Sequence, residues 1–262
     1  MTTVADVTRA VDFIAPFGTQ LDWDNSGLLV GDPSRGVTKV LVALDATTAV
    51  IDEAEAQGAE VIVTHHPVIF RGIKRLLAGD PPYEAAVRGI AVISAHTCYD
   101  MAPRGVNAAL ADALGLRDRA PLWEERPGEE GRTMGVIGDL PCPMSREELA
   151  AWVEEALGLR PGFVRCPPAA LTGPESAGTE AIRRVAVCGG AGADYLALAR
   201  EKGCAAYITG DVRHHEFLTA AGMGVFLMDA GHFATENIAI PKLAEQLEKA
   251  LPNVEVVVSD GR

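Results

Sequence analysis

All six histidines of this 262-residue chain fall in four short segments, and those segments hold its most reactive combinations of side chains. They are Thr64-His65-His66-Pro67, Ser94-Ala95-His96-Thr97-Cys98-Tyr99-Asp100, Gly210-Asp211-Val212-Arg213-His214-His215 and Asp229-Ala230-Gly231-His232-Phe233-Ala234-Thr235-Glu236. Imidazoles interleaved with carboxylates can converge on a divalent cation, and a mixed nitrogen and oxygen set suits Zn, Fe, Mn or Co better than Ca or Mg. His232 and Glu236 lie four residues apart at a predicted helix start and therefore share a helical face, and His96 and Asp100 repeat that spacing. His65 and His66 would point to opposite sides of a strand, but a break in the pleat before Pro67 lets both rings reach one region. One such pair alone is more often structural, whereas four segments together point to metal. Cys98 reads as a buried spectator beside them.

Paired ions can activate water and stabilise developing negative charge, so the chemistry expected of an enzyme with these residues is hydrolysis. Arg71, Lys74 and Arg75, a few residues beyond the double histidine, are solvated loop residues by default and candidates to orient a phosphate. His96, His214 and His215 are candidates for proton transfer at such a site. The chain has no G-x-x-x-x-G-K-[ST] phosphate loop and no G-x-S-x-G elbow.

The elements that must position these residues alternate. Residues 4–17 carry a helical pattern closed by Pro16, and Asp22-Trp23-Asp24-Asn25-Ser26-Gly27 reads as a polar turn. Strand-like runs at 39–44, 60–63 and 91–94 flank a helix at 46–57, a pattern that predicts α/β architecture with parallel strands. A helix is expected from about 104 to 119. Residues 121–132, rich in Glu, Pro and Gly, read as a lobe boundary. Further on, a strand is expected at 133–137, and Ser145 with Glu148 forms a capping-box signature for a helix ending near Gly158. A loop is expected over residues 166–181. In an α/β sheet ligands bind at the carboxyl ends of strands, and every histidine segment sits at or after such an end.

Residues 40–64 (VLVALDATTAVIDEAEAQGAEVIVT) align without gaps to residues 185–209 (VAVCGGAGADYLALAREKGCAAYIT), both reading strand, helix, Gly, strand, Thr. Each continues to a double histidine, His65-His66 or His214-His215. The expectation is an α/β protein of two related, closely joined lobes with mixed sheets, residues 1–126 and 127–262, and a metal site at strand carboxyl ends between them.

Composition narrows the setting. With 36 acidic against 23 basic residues the net charge is −13, which repels a nucleic-acid backbone and leaves bound metal as a source of local positive charge for a small anion. Five cysteines, an odd number with no C-x-x-C, suit a reducing compartment. The amino terminus, interrupted by Asp6, Arg9 and Asp12, lacks a signal-peptide core, and no apolar run approaches membrane-spanning length. A cytoplasmic location is expected.

Three motifs resemble one known family. Trp23-Asp24-Asn25-Ser26-Gly27-Leu28-Leu29-Val30-Gly31, His65-His66-Pro67-Val68-Ile69-Phe70 and the segment from Asp229-Ala230-Gly231-His232 to Thr235-Glu236 are similar to motifs of the Nif-three-like proteins, or GTP cyclohydrolase I type 2 homologues, a group of dinuclear-metal proteins. The resemblance runs end to end. It implies two divalent ions per subunit held by His65, His66, Asp100, His232 and Glu236, with Glu236 bridging and His96 in or beside the ligand shell. The family's middle motif usually reads His-Thr-Asn-Leu-Asp, and here it is His96-Thr97-Cys98-Tyr99-Asp100. That replacement leaves the ligands in place and alters their surroundings. The resemblance further implies a homohexameric ring with the metal sites facing an internal cavity, in the minimal form that lacks a middle insertion. Two functions are consistent with it: a metal-dependent hydrolase of a phosphorylated or nucleotide-like small molecule, and a non-catalytic metal-binding or metal-delivery ring.

Overall fold

A computed structural model describes residues 1–126, 131–167 and 181–260. Within it the chain divides into two compact units, Met1–Gly105 with Ala239–Arg262, and Val106–Ile238.

The first unit opens with helix α1 (Val4–Ile14), started by a capping box in which Thr3 Oγ1 accepts from Asp6 N–H and the Asp6 carboxylate accepts from Thr3 N–H. Pro16 follows the helix end, as its sequence position requires. Strands β1 (Gly27–Val30), β2 (Lys39–Ala43), β3 (Val61–Thr64), β4 (Ala91–Ser94) and β10 (Glu255–Val258) form a sheet in the order β1-β4-β3-β2-β10. Strands β10, β2, β3 and β4 run parallel, and β1 is antiparallel to β4. Every residue of β3 and β4 is buried, as expected for central strands covered on both faces. Between the strands lie α2 (Thr48–Gln57), α3 (Pro81–Val87) and the single turn α4 (Thr97–Asp100), while α10 (Ile240–Ala250) leads into β10. Helix α2 ends on Gly58 at φ +70, a left-handed cap that a side chain would disfavour.

This topology explains why one sheet edge gathers the polar residues. The parallel strands β2, β3 and β4 deliver Asp45, His65-His66 and His96 at their carboxyl ends. Because Gly27 at the start of antiparallel β1 pairs with Ser94 at the end of β4, the Trp23-Asp24-Asn25-Ser26 turn arrives at the same edge.

The second unit begins with α5 (Val106–Ala113), followed by β5 (Arg117–Glu124), β6 (Thr133–Met144), α6 (Arg146–Ala156), β7 (Ile182–Val187), α7 (Leu196–Glu201), β8 (Ala206–Thr209), α8 (His214–Met223), β9 (Phe226–Asp229) and α9 (His232–Asn237). Its sheet order is β5-β6-β7-β8-β9, with β7, β8 and β9 parallel and β5 and β6 antiparallel. Leu110, Leu114, Leu149, Val153, Val185, Ile208 and Met228 share its core. The Ser145–Glu148 capping box starts α6 as the sequence reading expects.

Two expectations fail here. Residues 114–119 do not extend a helix: α5 stops at Ala113, and the polar run Arg117-Asp118-Arg119 opens edge strand β5, with Asp118 at φ +47. Of the segment read as a lobe boundary, Pro121 to Glu124 belong to β5, and residues 127–130 lie outside the described residues. Pro121 is tolerated because β5 lies at the sheet edge. The compact units change at Gly105/Val106 and again at Ile238/Ala239, in place of a single change after Arg126, since the last helix and strand return to pair β10 with β2. Most of the loop expected at 166–181 lies outside the described residues.

Candidate metal centre

In the first unit His65, His66 and His96 each offer a ring nitrogen, all within 4.8 Å of one another, and could hold a metal ion. The rings are 5.0 to 5.6 Å apart by centroid. His65 is fully buried, and its backbone N–H continues the sheet ladder to Ala43 O. Its Nδ1 lies 3.0 Å from Ala95 O, so Nδ1 carries the proton and Nε2 presents a lone pair. That Nε2 lies 3.5 Å from Asp100 Oδ1.

The other two rings are oriented by carboxylates. His66 Nδ1 is 2.7 Å from Asp45 Oδ1, and His96 Nδ1 is 2.8 Å from Asp24 Oδ1. Asp24 also accepts from Thr97 N–H and Oγ1–H, while Ser26 Oγ accepts from His96 N–H. Burial pushes the Asp24 carboxyl up, but the hydrogen bonds from His96 and Thr97 outweigh it and hold the group well below the usual carboxylate range. The His96–Asp100 spacing therefore positions the two residues without making them a pair in the way the sequence suggests. His96 caps α4 at ψ −110, off the helical path, so its ring is not on that helix's face. Asp100 comes instead to His65, and His96 to Asp24.

In the second unit the four-residue spacing on α9 brings His232 Nε2 within 3.0 Å of Glu236 Oε2, with Glu236 buried. His232 Nδ1 lies 2.7 Å from Asp211 Oδ2. The hydrogen bond to Glu236, opposed by burial and reinforced by Asp211, raises the His232 imidazole to about 9. Glu236 has space because residue 190 is glycine. A Cβ there would stand 2.2 Å from Glu236 Oε1, and φ at Gly190 is +62. Asp211 itself holds a left-handed φ of +54, a conformation that asparagine and aspartate tolerate better than bulkier residues.

His214 and His215 open α8 and are exposed. They are not the counterpart of His65-His66, because β8 ends at Thr209 and the aligned positions are Gly210-Asp211. Arg71, Lys74 and Arg75 are exposed in the irregular segment before α3. Cys98 is buried, its thiol pushed up to about 12 by burial, which fits a spectator. Tyr99 is buried with its hydroxyl donating to Ala239 O and accepting from Gln246. The residues that sequence reading missed are Asp24, Asp45 and Asp211. Their one signal was position, each lying in a polar turn beside a strand end.

Mixed α/β sheets whose edges carry oriented histidines and carboxylates that could hold a metal ion define the class of protein. The chain belongs to the Duf34/NIF3 (NGG1p interacting factor 3) family, whose model matches residues 2–262. A protein named GTP cyclohydrolase 1 type 2 homolog from Streptomyces coelicolor is 36% identical over 244 residues, covering 90% of this chain and 82% of the relative. Another of that name from Clostridium perfringens is 31% identical over 261 residues, covering 97% of this chain and 95% of the relative. In fold the chain is similar to a Bacillus cereus protein related to NIF3, with a TM-score of 0.89 at 22% identity, covering 99% of this chain and 97% of that one. Among the described residues no helix is long and apolar enough to cross a membrane.

Proposed function

We propose that the chain binds two divalent transition-metal ions through His65, His66 and Asp100 of one unit and His232 and Glu236 of the other, with His96 in or beside the ligand shell. The observation that carries this reading is the orientation of four histidine rings. His65, His66, His96 and His232 each direct Nδ1 at a carbonyl or carboxylate oxygen, which leaves Nε2 of each ring as the atom for an ion; at His232, whose Nε2 hydrogen-bonds the Glu236 carboxylate, the ion would take the place of a proton. Histidines that ligate metals are held in this way. The donor set, imidazoles with few carboxylates, fits Zn, Fe, Mn or Co.

Bound ions would supply Lewis acidity and positive charge for hydrolysis of a phosphorylated or nucleotide-like small molecule. Around them, Asp24, Asp45 and Asp211 hold ring orientation. Arg71, Lys74 and Arg75 are the residues offered to a phosphate, and His214 and His215 the exposed proton donors. A closed ring of six subunits, a choice consistent with the general preference for closed symmetry, belongs to the same proposal. So does a reducing, cytoplasmic setting, supported by the free state of all five cysteines.

Elemental analysis of purified protein tests the reading: about two ions per chain are expected, and fewer in His232→Ala and Glu236→Ala. Unchanged metal in both variants would refute the ligand assignment. A screen of metal-loaded protein against phosphomonoesters, phosphodiesters and nucleotides separates a hydrolase from a metal-delivery ring, and light scattering decides the ring.

A further inference from the structure

We propose that Trp23 and Phe70 form a stacking subsite for the planar heteroaromatic part of an anionic ligand, beside the histidines of the first unit. This rests on the metal-site reading above and names the ligand class it would take.

The Trp23-Asp24-Asn25-Ser26 turn divides its tasks unequally. Asp24 fastens the His96 ring, Ser26 accepts the His96 backbone N–H, and Asn25 Nδ2–H donates to Ile69 O, pinning the chain just before Phe70. Three consecutive polar residues thus set the positions of His96 and of the Phe70 backbone, while the Trp23 indole is left 58% exposed and the Phe70 ring 41% exposed. The two rings are not stacked on each other. Their centroids are 5.8 Å apart with planes at 56°, and each stands about edge-on to His96 at 6.0 Å. Large aromatic surface held open next to convergent polar groups is the usual lining of a small-molecule site.

The shape selects the ligand. Aromatic faces bind planar rings by offset or tilted stacking, and nucleobases do so with little dependence on sequence. Arg71, Lys74 and Arg75 follow Phe70 within five residues and are all exposed, so the same segment offers cations to a phosphate in a protein that is otherwise acidic. The second unit has a related feature at its own donor group. The ring of Phe163 lies where a Cβ on Gly231 would be 3.1 Å from it, and Phe233, next to His232, is 57% exposed.

The test is calorimetric titration of the metal-loaded full chain with AMP, GMP and ribose 5-phosphate, which shares their phosphate but has no base. The purine nucleotides should bind more tightly than ribose 5-phosphate. Trp23→Ala and Phe70→Ala should each weaken AMP and GMP about tenfold, leaving ribose 5-phosphate binding and metal content unchanged, and Trp23→Phe should restore most of the loss. Purine nucleotides no tighter than ribose 5-phosphate in the wild type, or an equal loss for all three compounds in the variants, would overturn the subsite. Loss of metal from wild-type protein would instead overturn the reading beneath it.

Discussion

The two strand–helix–strand repeats share a scaffold and differ at its tip. In the first, Val40 pairs with Val61, and in the second, Val185 pairs with Ala206, the register their ungapped alignment requires. Both run on to a third parallel strand, β4 or β9, and the residue after each pairing takes the same hydrogen bond, Ala95 N–H to Thr64 O and Ala230 N–H to Thr209 O. Yet Asp45, His65 and His66 of the first repeat align with Gly190, Gly210 and Asp211 of the second. In the first repeat the position of His66 supplies an imidazole braced by Asp45. In the second the same position supplies the bracing carboxylate, Asp211, to His232 on the following helix. At the positions of Asp45 and His65 the second repeat has glycines, which make room for that helix: a Cβ on Gly210 would lie 2.6 Å from His232 N. A βαβ frame is set by packing and register and tolerates any polar tip, so donors can migrate between loops while the sheet stays the same.

Replacing a donor on either side breaks the comparison most directly. His66→Ala and Glu236→Ala are each expected to lower bound metal from about two ions per chain to about one or fewer, measured by elemental analysis after dialysis. If only one of the two variants loses metal, the other group is not a ligand group.

Exchanging the tips comes next. Gly190→Asp copies the first repeat into the second and should fail, since the new Cβ meets the buried Glu236 carboxylate and a second carboxylate is set beside it. Urea denaturation and metal content should both fall. Asp45→Gly, the reciprocal change, removes one brace from a half-exposed site and should leave the fold intact. A Gly190→Asp protein as stable and metal-rich as the wild type would show that the glycine is incidental.

The bracing carboxylates can be compared with one another. Asp45→Ala and Asp211→Ala should each weaken metal affinity about 10–100-fold by competition against a chelator, with little change in stability. Equal affinity to wild type in both variants would mean that the Nδ1 contacts do not tune the ligands.

The smallest effect is in acid. The Asp24 carboxyl is depressed, so its stabilisation is complete above its unfolded value of about 4 and is lost as pH falls through the lower native value. Asp24→Asn should be less stable than wild type near neutrality, and the gap should narrow steadily below about pH 4 in metal-free protein. A gap independent of pH would remove this carboxylate from the balance.

Much of this molecule is legible locally. The apolar β-branched runs, the Ser145–Glu148 cap and the His232–Glu236 spacing depend on neighbours a few residues away, and periodicity reports such neighbours faithfully. The parallel strand order of the first repeat followed from its alternation with α2, and the gathering of histidine segments at strand ends followed from that. Long-range partnerships were not legible. His96 turns to Asp24 across 72 residues and Tyr99 to Ala239 across 140, and no local pattern encodes such pairings. The polar strand β5 was hidden because an edge strand needs little apolar alternation, only a partner to pair with. Sequence alone determined which residues are chemically able to hold a metal and that they lie at sheet edges. Tertiary structure decided which oxygen holds each Nδ1, and hence which nitrogen is left to bind, because that choice depends on the chain segments each sheet brings beside the ring.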